Sequence, residues 1–219
     1  MTASTSLAAG LESGLRALGL SLTPAQQSQL LDFLALIQKW NQVYNLTAVR
    51  DPQEMLTHHL LDSLAVVAPL QRRAGGRPLR LLDVGSGAGL PGVVLAICCP
   101  GLHVDCVDTV GKKAAFIQQA AVTLKLPRLR GLHDRVEKLV GPYDLICSRA
   151  FASLSDFVNW SAGALAGEGV WLAMKGRHPA EEIAALPPEV AVFHVEPLQV
   201  PGLDAERCLI WLKKAGSLT

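Results

Sequence analysis

What the sequence lacks narrows its function first. It has no charge excess: 20 basic and 19 acidic residues leave a net +1. No global field gathers nucleic acid, so any such site must be local. It has no Cys-x-x-Cys pair. Cys98, Cys99, Cys106, Cys147 and Cys208 are an odd set lying mostly in apolar runs. That spacing argues against zinc and dithiol frameworks and predicts reduced, buried thiols in a cytoplasmic protein. No apolar run reaches the roughly eighteen residues of a membrane span, so no membrane association is expected. Met1 to Gly10 lacks a charged start and a long apolar core, so it does not read as a signal peptide. No internal repeat is visible.

What is present centres on Leu81-Leu82-Asp83-Val84-Gly85-Ser86-Gly87-Ala88-Gly89-Leu90-Pro91-Gly92. An apolar run ends at Asp83, turns through three glycines and enters a second apolar run from Val93 to Cys98. This predicts strand, tight turn and helix start. Glycines let the backbone approach a ligand closely, and ligands in open α/β sheets sit beyond the strands' carboxyl ends. A phosphate-cradling P-loop would need Lys-Ser/Thr after the glycines, and none follows. The dinucleotide spacing Gly-x-Gly-x-x-Gly is also met, by Gly87 to Gly92, so glycine counting alone does not choose the ligand.

Around this stretch, 219 residues with 50% apolar content predict one substantial unit. Residues 1–77 read as a helical extension and 78–219 as the core, together forming one compact structure. Residues 1–8 are expected to fray, with a short helix over Leu11 to Leu18. Thr23-Pro24-Ala25-Gln26 is a capped start for a helix reaching Trp40 or Tyr44. Asp51-Pro52 starts another, expected to end before Pro69. On it, His58, His59 and Asp62 are either a poor two-ligand metal site or a hydrogen-bonded or pocket-lining group. Gln71 to Pro78 reads as a connector whose Arg72, Arg73 and Arg77 are either a solvated surface or phosphate contacts.

The core then alternates. Strands are expected at Leu79–Val84, His103–Val107, Arg130–His133, Tyr143–Ser148, Gly169–Lys175, Val190–Glu196 and Arg207–Lys213. Helices are expected at Leu90–Cys99, Lys112–Leu124, briefly from Val136, Leu154–Leu165 and Ala180–Ala185. That order argues a mostly parallel, covered sheet of seven strands.

Several residues carry chemistry. Asp108 lies just past the second strand, where a carboxylate can accept from ribose hydroxyls; capping the next helix is the lesser alternative, and both roles can hold together. Asp105 is a weaker candidate for the same role. Arg135, Val136 and Glu137 follow the third strand, where an adenine edge is reached, or are partly an ordinary surface pair. Arg149 ends the fourth strand, with planar donors for a phosphate or a guanine edge, or for a structural salt bridge. A guanidinium keeps its proton, so its role is positioning rather than general acid catalysis. Ser148-Arg149-Ala150-Phe151 is not the Asn/Asp-Pro-Pro-aromatic loop of adenine amino methylation. Cys147 lies inside a strand, a poor place for a covalent nucleophile. A ring nitrogen with its own lone pair needs neither device, only alignment. Lys112, Lys113, Arg149, Lys175 and Arg177 follow strand ends and form the expected RNA-binding rim.

The glycine stretch resembles motif I of the class I S-adenosylmethionine-dependent methyltransferases with a Rossmann-like core. That resemblance implies an antiparallel last strand and places Asp83, Gly85, Gly87 and Gly89 around the methionine half of the cofactor. A wider set of motifs is more specific: Tyr44-Asn45-Leu46-Thr47-Ala48-Val49-Arg50, His59-Leu60-Leu61-Asp62-Ser63, Asp108-Thr109-Val110-Gly111-Lys112-Lys113, Arg135-Val136-Glu137, Ser148-Arg149-Ala150-Phe151-Ala152 and Leu198-Gln199-Val200-Pro201-Gly202-Leu203. Together they cover roughly residue 30 to the end and resemble the bacterial ribosomal RNA small subunit methyltransferase G family, also called glucose-inhibited division protein B. The resemblance implies N7 methylation of guanine 527 in the 530 loop of 16S rRNA, naked or within a 30S particle or precursor. It implies S-adenosylmethionine; the residues themselves predict no metal, and no obligate protein partner is evident from them. The cofactor contacts it carries over are Gly85, Leu90, Val136, Glu137 and Arg149. His58 stands where relatives often have a basic residue, and Leu90 where they often have phenylalanine.

Overall fold

A computed structural model describes residues 3–216. The chain opens with α1 (Ala3–Ala17) and α2 (Pro24–Tyr44). Fraying over residues 1–8 is corrected from Ala3 onward, and Met1 and Thr2 lie outside the described residues. Leu11 and Leu15, one helical turn apart, are buried and anchor α1. The start of α2 is a full capping box: Gln26 N–H donates to Thr23 Oγ1 at 3.2 Å, and Thr23 N–H donates to Gln26 Oε1 at 3.0 Å. Asp51 Oδ1 then accepts from the N–H groups of Gln53 and Glu54 at the start of α3 (Pro52–Met55).

The next segment departs from the expected single helix. A π-helical turn (Leu56–Leu61) follows α3, and α4 (Asp62–Leu64) follows the turn. After a break at Ala65-Val66, α5 (Val67–Ala74) takes up Pro69 and the first half of the expected connector. Pro69 is third in the new helix, where its missing N–H costs nothing.

The core comprises β1 (Arg80–Val84), α6 (Gly92–Cys98), β2 (His103–Asp108), α7 (Gly111–Thr123), β3 (Leu129–His133), a 3-10 turn (Val136–Lys138), β4 (Tyr143–Arg149), α8 (Leu154–Ser161), β5 (Leu165–Lys175), α9 (Ala180–Ala184), β6 (Val190–Leu198) and β7 (Arg207–Lys214). Helix α8 stops short of Leu165, which instead opens β5, four residues earlier than its glycines suggested.

One seven-stranded sheet runs in the order β3-β2-β1-β4-β5-β7-β6. Only β7 runs against its neighbours. This is the Rossmann-like class I methyltransferase arrangement with an antiparallel last strand. Side chains alternate across the sheet. Leu81, Cys106, Leu145, Cys147 and Leu172 face α6, α7 and the N-terminal helices, forming one core with Phe33, Ile37, Leu64 and Phe116. Leu82, Val84, Ile146 and Trp171 face α8 and the 3-10 turn with Leu154 and Phe157. Apolar packing is therefore continuous across residues 77–78. The strand order reverses between β1 and β4, which opens a crevice there.

Candidate functional site

The turn leaving β1 is held from two sides. Below it, the fully buried Asp83 accepts from Gly92 N–H at 2.8 Å, fixing the start of α6. A Cβ on Gly92 would collide with Cys106 and Asp83, so this close approach requires glycine. Burial pushes the Asp83 carboxyl up to about 7, opposed by the Gly92 N–H and by Arg149. Beside the turn, Asp108 Oδ2 accepts from Gly87 N–H at 3.0 Å, while its Oδ1 accepts from Val110 N–H at 2.9 Å. Val110, not Asp108, occupies the cap position of α7. Lys113 Nζ stands 3.6 Å from Asp108.

Across the crevice, Asp62 is buried and joins two arginines. Its Oδ2 accepts from Arg149 Nη1 at 2.8 Å, and its Oδ1 from Arg207 Nε at 2.9 Å. Arg149 Nη1 also donates to the His58 carbonyl at 2.9 Å. One carboxylate thus brings together the π-helical region, the end of β4 and the start of β7. His59 is buried beside them, with Nε2 2.9 Å from Thr47 Oγ1. Burial, and next the Arg149 charge, lower its pKa to about 4, so the ring is neutral near pH 7. Lys175 Nζ donates to the Ala152 carbonyl at 3.0 Å and to Glu182 Oε2 at 2.8 Å.

A cavity of about 510 Å³ occupies the crevice, bordered by Gly85, Gly87, Leu90, His59, Asp62 and Arg149 among others. A wider trough of about 1180 Å³ adjoins it through Gly176 and Arg207 and runs along the β6–β7 loop. The trough is larger, but the glycine turn, Asp62 and Arg149 border only the smaller cavity, which is therefore the candidate centre.

Comparison with known proteins gives this geometry a family. Residues 26–210 match the family model described as GidB, rRNA small subunit methyltransferase G. The chain belongs to this family. The ribosomal RNA small subunit methyltransferase G of Paracidovorax citrulli is 68% identical over 222 residues, covering 96% of this chain and 91% of that protein. The protein of the same name from Acidovorax ebreus is 66% identical, covering 97% of this chain and 98% of the other. Among solved structures, magnesium protoporphyrin IX methyltransferase from Synechocystis with bound SAM has a TM-score of 0.60 at 14% identity, covering 84% of this chain and 98% of that one. TrmN from Thermus thermophilus has a TM-score of 0.57 at 22% identity, covering 73% and 53%. Those two likenesses show the fold.

Within this family fold, the predicted site residues divide. Gly85, Gly87, Leu90, Arg149 and Lys175 border the cavity. Asp83 and Gly89 lie behind the glycine turn and do not border it. Asp108, Val136 and Glu137 are on the β2 and β3 side. Val136 is buried, and Glu137 takes a hydrogen bond of 2.7 Å from Arg135 that holds its carboxyl below the usual range. Asp105 is placed elsewhere: its carboxylate binds Arg130 and Tyr143 Oη beneath the sheet's other end, so the ribose role suggested for it is withdrawn. Lys112 and Arg177 are exposed; Arg177 borders the trough. Arg73 and Arg77 flank a hollow with Leu79 and Asp144, where the strands begin, and Arg72 pairs with Glu196. The Cys147 thiol is buried and raised by burial and by Asp83, unlike an activated nucleophile.

Sequence reasoning missed Arg207 and Met174. The available signal for Arg207 was a cation opening an apolar strand, the same signal that singled out Arg149 closing one.

Proposed function

We propose that the protein transfers a methyl group from S-adenosylmethionine to N7 of guanine 527 in the 530 loop of 16S rRNA. The observation that carries this reading is the crevice itself: a glycine turn and an Asp62-held Arg149 border one cavity at the strand reversal, in a chain of the methyltransferase G family. The side of Gly87 where a Cβ would stand has no neighbour closer than the Gly85 carbonyl, 4.0 Å away, which fits a cofactor chain lying against the turn. Gly85, Gly87 and Leu90 would hold its methionine half, with Asp83 and Gly89 shaping the turn from behind. Asp108 would meet the ribose, and Val136 and Glu137 the adenine.

The cofactor supplies an electrophilic methyl on a sulfonium sulfur. Guanine N7 has its own lone pair, so the chain needs to supply alignment rather than a base. Arg149, tied to Asp62 and the His58 carbonyl, positions cofactor or phosphate. Neutral His59 adds no positive charge beside a base that becomes cationic. Lys112 and Arg177, which carry no ion pair among the described residues, would meet RNA phosphates, which position the RNA without specifying the base, while Lys113 and Lys175 are held by Asp108 and Glu182.

The test incubates the protein with methyl-labelled cofactor and unmodified 16S rRNA, naked or in 30S particles, and maps the label. Label at N7 of guanine 527 in either substrate supports the reading. Label at another atom or position, or in neither substrate, overturns it. Arg149→Ala should lower turnover by at least tenfold while the protein stays folded.

A further inference from the structure

Phe151 and Trp160 are left 37% and 41% exposed in a chain with only 5% aromatic residues. Large aromatics ordinarily contribute most when buried. Here two stand together, ring centroids 5.7 Å apart and planes at 80°, making an open apolar corner. The corner lies at the rim of the crevice. One side of the Phe151 ring fills the place where a Gly85 Cβ would stand, and Gly85, Arg149 and Ala150 border the cavity.

The backbone on both sides is pinned. Arg149 is tied to Asp62 and the His58 carbonyl. The Ala152 carbonyl accepts from Lys175, whose partner Glu182 also accepts from Leu154 N–H at 2.7 Å. Ser153 caps α8. Between these anchors Ala150 has φ 49, in the left-handed region, an unfavourable conformation for a residue with a Cβ. The loop thus holds a left-handed residue next to an exposed aromatic ring at the rim of the crevice, and backbone strain of this kind clusters at ligand-binding sites.

We propose that the Phe151–Trp160 corner is a stacking site for an unpaired nucleobase of the RNA, adjacent to the base presented to the cavity. This rests on reading the crevice as a site of RNA methylation. Loop nucleotides in RNA are recognised by splaying their bases onto aromatic side chains. Any base has a face that can lie on one ring while its edge meets the other, so the site is tolerant of sequence.

Two RNA probes test it: hexaadenylate, and an abasic hexamer with the same sugars and phosphates. Wild type should bind hexaadenylate about tenfold tighter than the abasic strand, with fluorescence quenching that is lost in Trp160→Phe. Phe151→Leu keeps apolar bulk without a π face. Combined with Trp160→Ala it should abolish the preference while abasic affinity and its salt dependence stay unchanged. Affinity for S-adenosylhomocysteine should stay within twofold, which also reports folding. A tenfold loss of cofactor affinity in Phe151→Leu would overturn the proposal and assign the ring to the cofactor. Equal wild-type affinity for the two hexamers would overturn it as well. None of these readouts needs methyl transfer. Failure of the methylation reading would instead appear as an intact base preference with no label on rRNA.

Discussion

Asp83 and His59 are buried ionisable groups that pull stability in opposite directions with pH. Folding raises the Asp83 carboxyl to about 7 from an unfolded value of about 4. Between those values the folded state holds the extra proton, so its contribution is full at low pH and is lost as pH rises towards 7. Folding lowers His59 to about 4 from about 6.5. There the unfolded state holds the extra proton, so stability is lost as pH falls from 6.5 towards 4. In wild type the two slopes offset. Urea unfolding between pH 4 and 6.5 should show stability rising with pH in Asp83→Asn and falling with pH in His59→Gln, by a few kcal/mol across the window. Parallel slopes in the two variants would refute this. Asp62 gives a second test at this scale. The side chains of its two arginine partners are only 20% and 25% exposed, so Asp62→Ala leaves two mostly buried arginines without their carboxylate partner. A stability loss of about 3 kcal/mol is expected in urea titration. A loss below about 1 kcal/mol would mean that solvent already screens the pair.

At the scale of elements, the parts legible in the sequence were those with local causes. Thr23 and Gln26 carry the α2 start within four residues, and the glycine turn carries its own geometry. The break at Ala65-Val66 was not legible, because Pro69 reads equally as a stop or as a member of a new first turn. The π-helical turn carries no signal of its own in the local sequence, and what packs on it comes from elsewhere in the chain. Gly14 on α1 faces Leu61 of that turn, and Gly10 faces Leu56. Alanine in a helix gains roughly 1 kcal/mol over glycine, whereas overpacking a core costs about 1–3 kcal/mol. At Gly14 the new Cβ would meet both methyls and the Cγ of buried Leu61, so overpacking should win. Gly14→Ala should therefore lower Tm by a few degrees. Gly10→Ala meets chiefly the tip of one Leu56 methyl and should be near neutral. Equal effects in a thermal melt would show that the two contacts do not differ.

At the scale of the whole molecule, a near-neutral chain must gather RNA by where its uncommitted cations stand. The sequence identified the candidates but not their commitments, since a lysine's partner can come from anywhere in the fold. Lys175 is spent on Ala152 and Glu182, so replacing it would loosen the loop beside the crevice as well as remove a charge. Lys113 is near Asp108, and Arg72 is paired with Glu196. Lys112 and Arg177 follow the carboxyl ends of β2 and β5 and carry no ion pair among the described residues. Arg73 and Arg77 lie towards the strands' starts, away from the crevice. RNA entering the crevice should therefore feel the first pair and not the second. Lys112→Ala with Arg177→Ala should weaken 16S rRNA binding and reduce the slope of log affinity against log salt by about 1.5, the release expected for two phosphate contacts. Arg73→Ala with Arg77→Ala should leave the slope unchanged, and both double variants should keep wild-type affinity for S-adenosylhomocysteine. Binding titrations across a few salt concentrations decide it. A slope that falls only in the Arg73 and Arg77 variant would put the RNA at the opposite end of the sheet and separate RNA binding from the glycine turn.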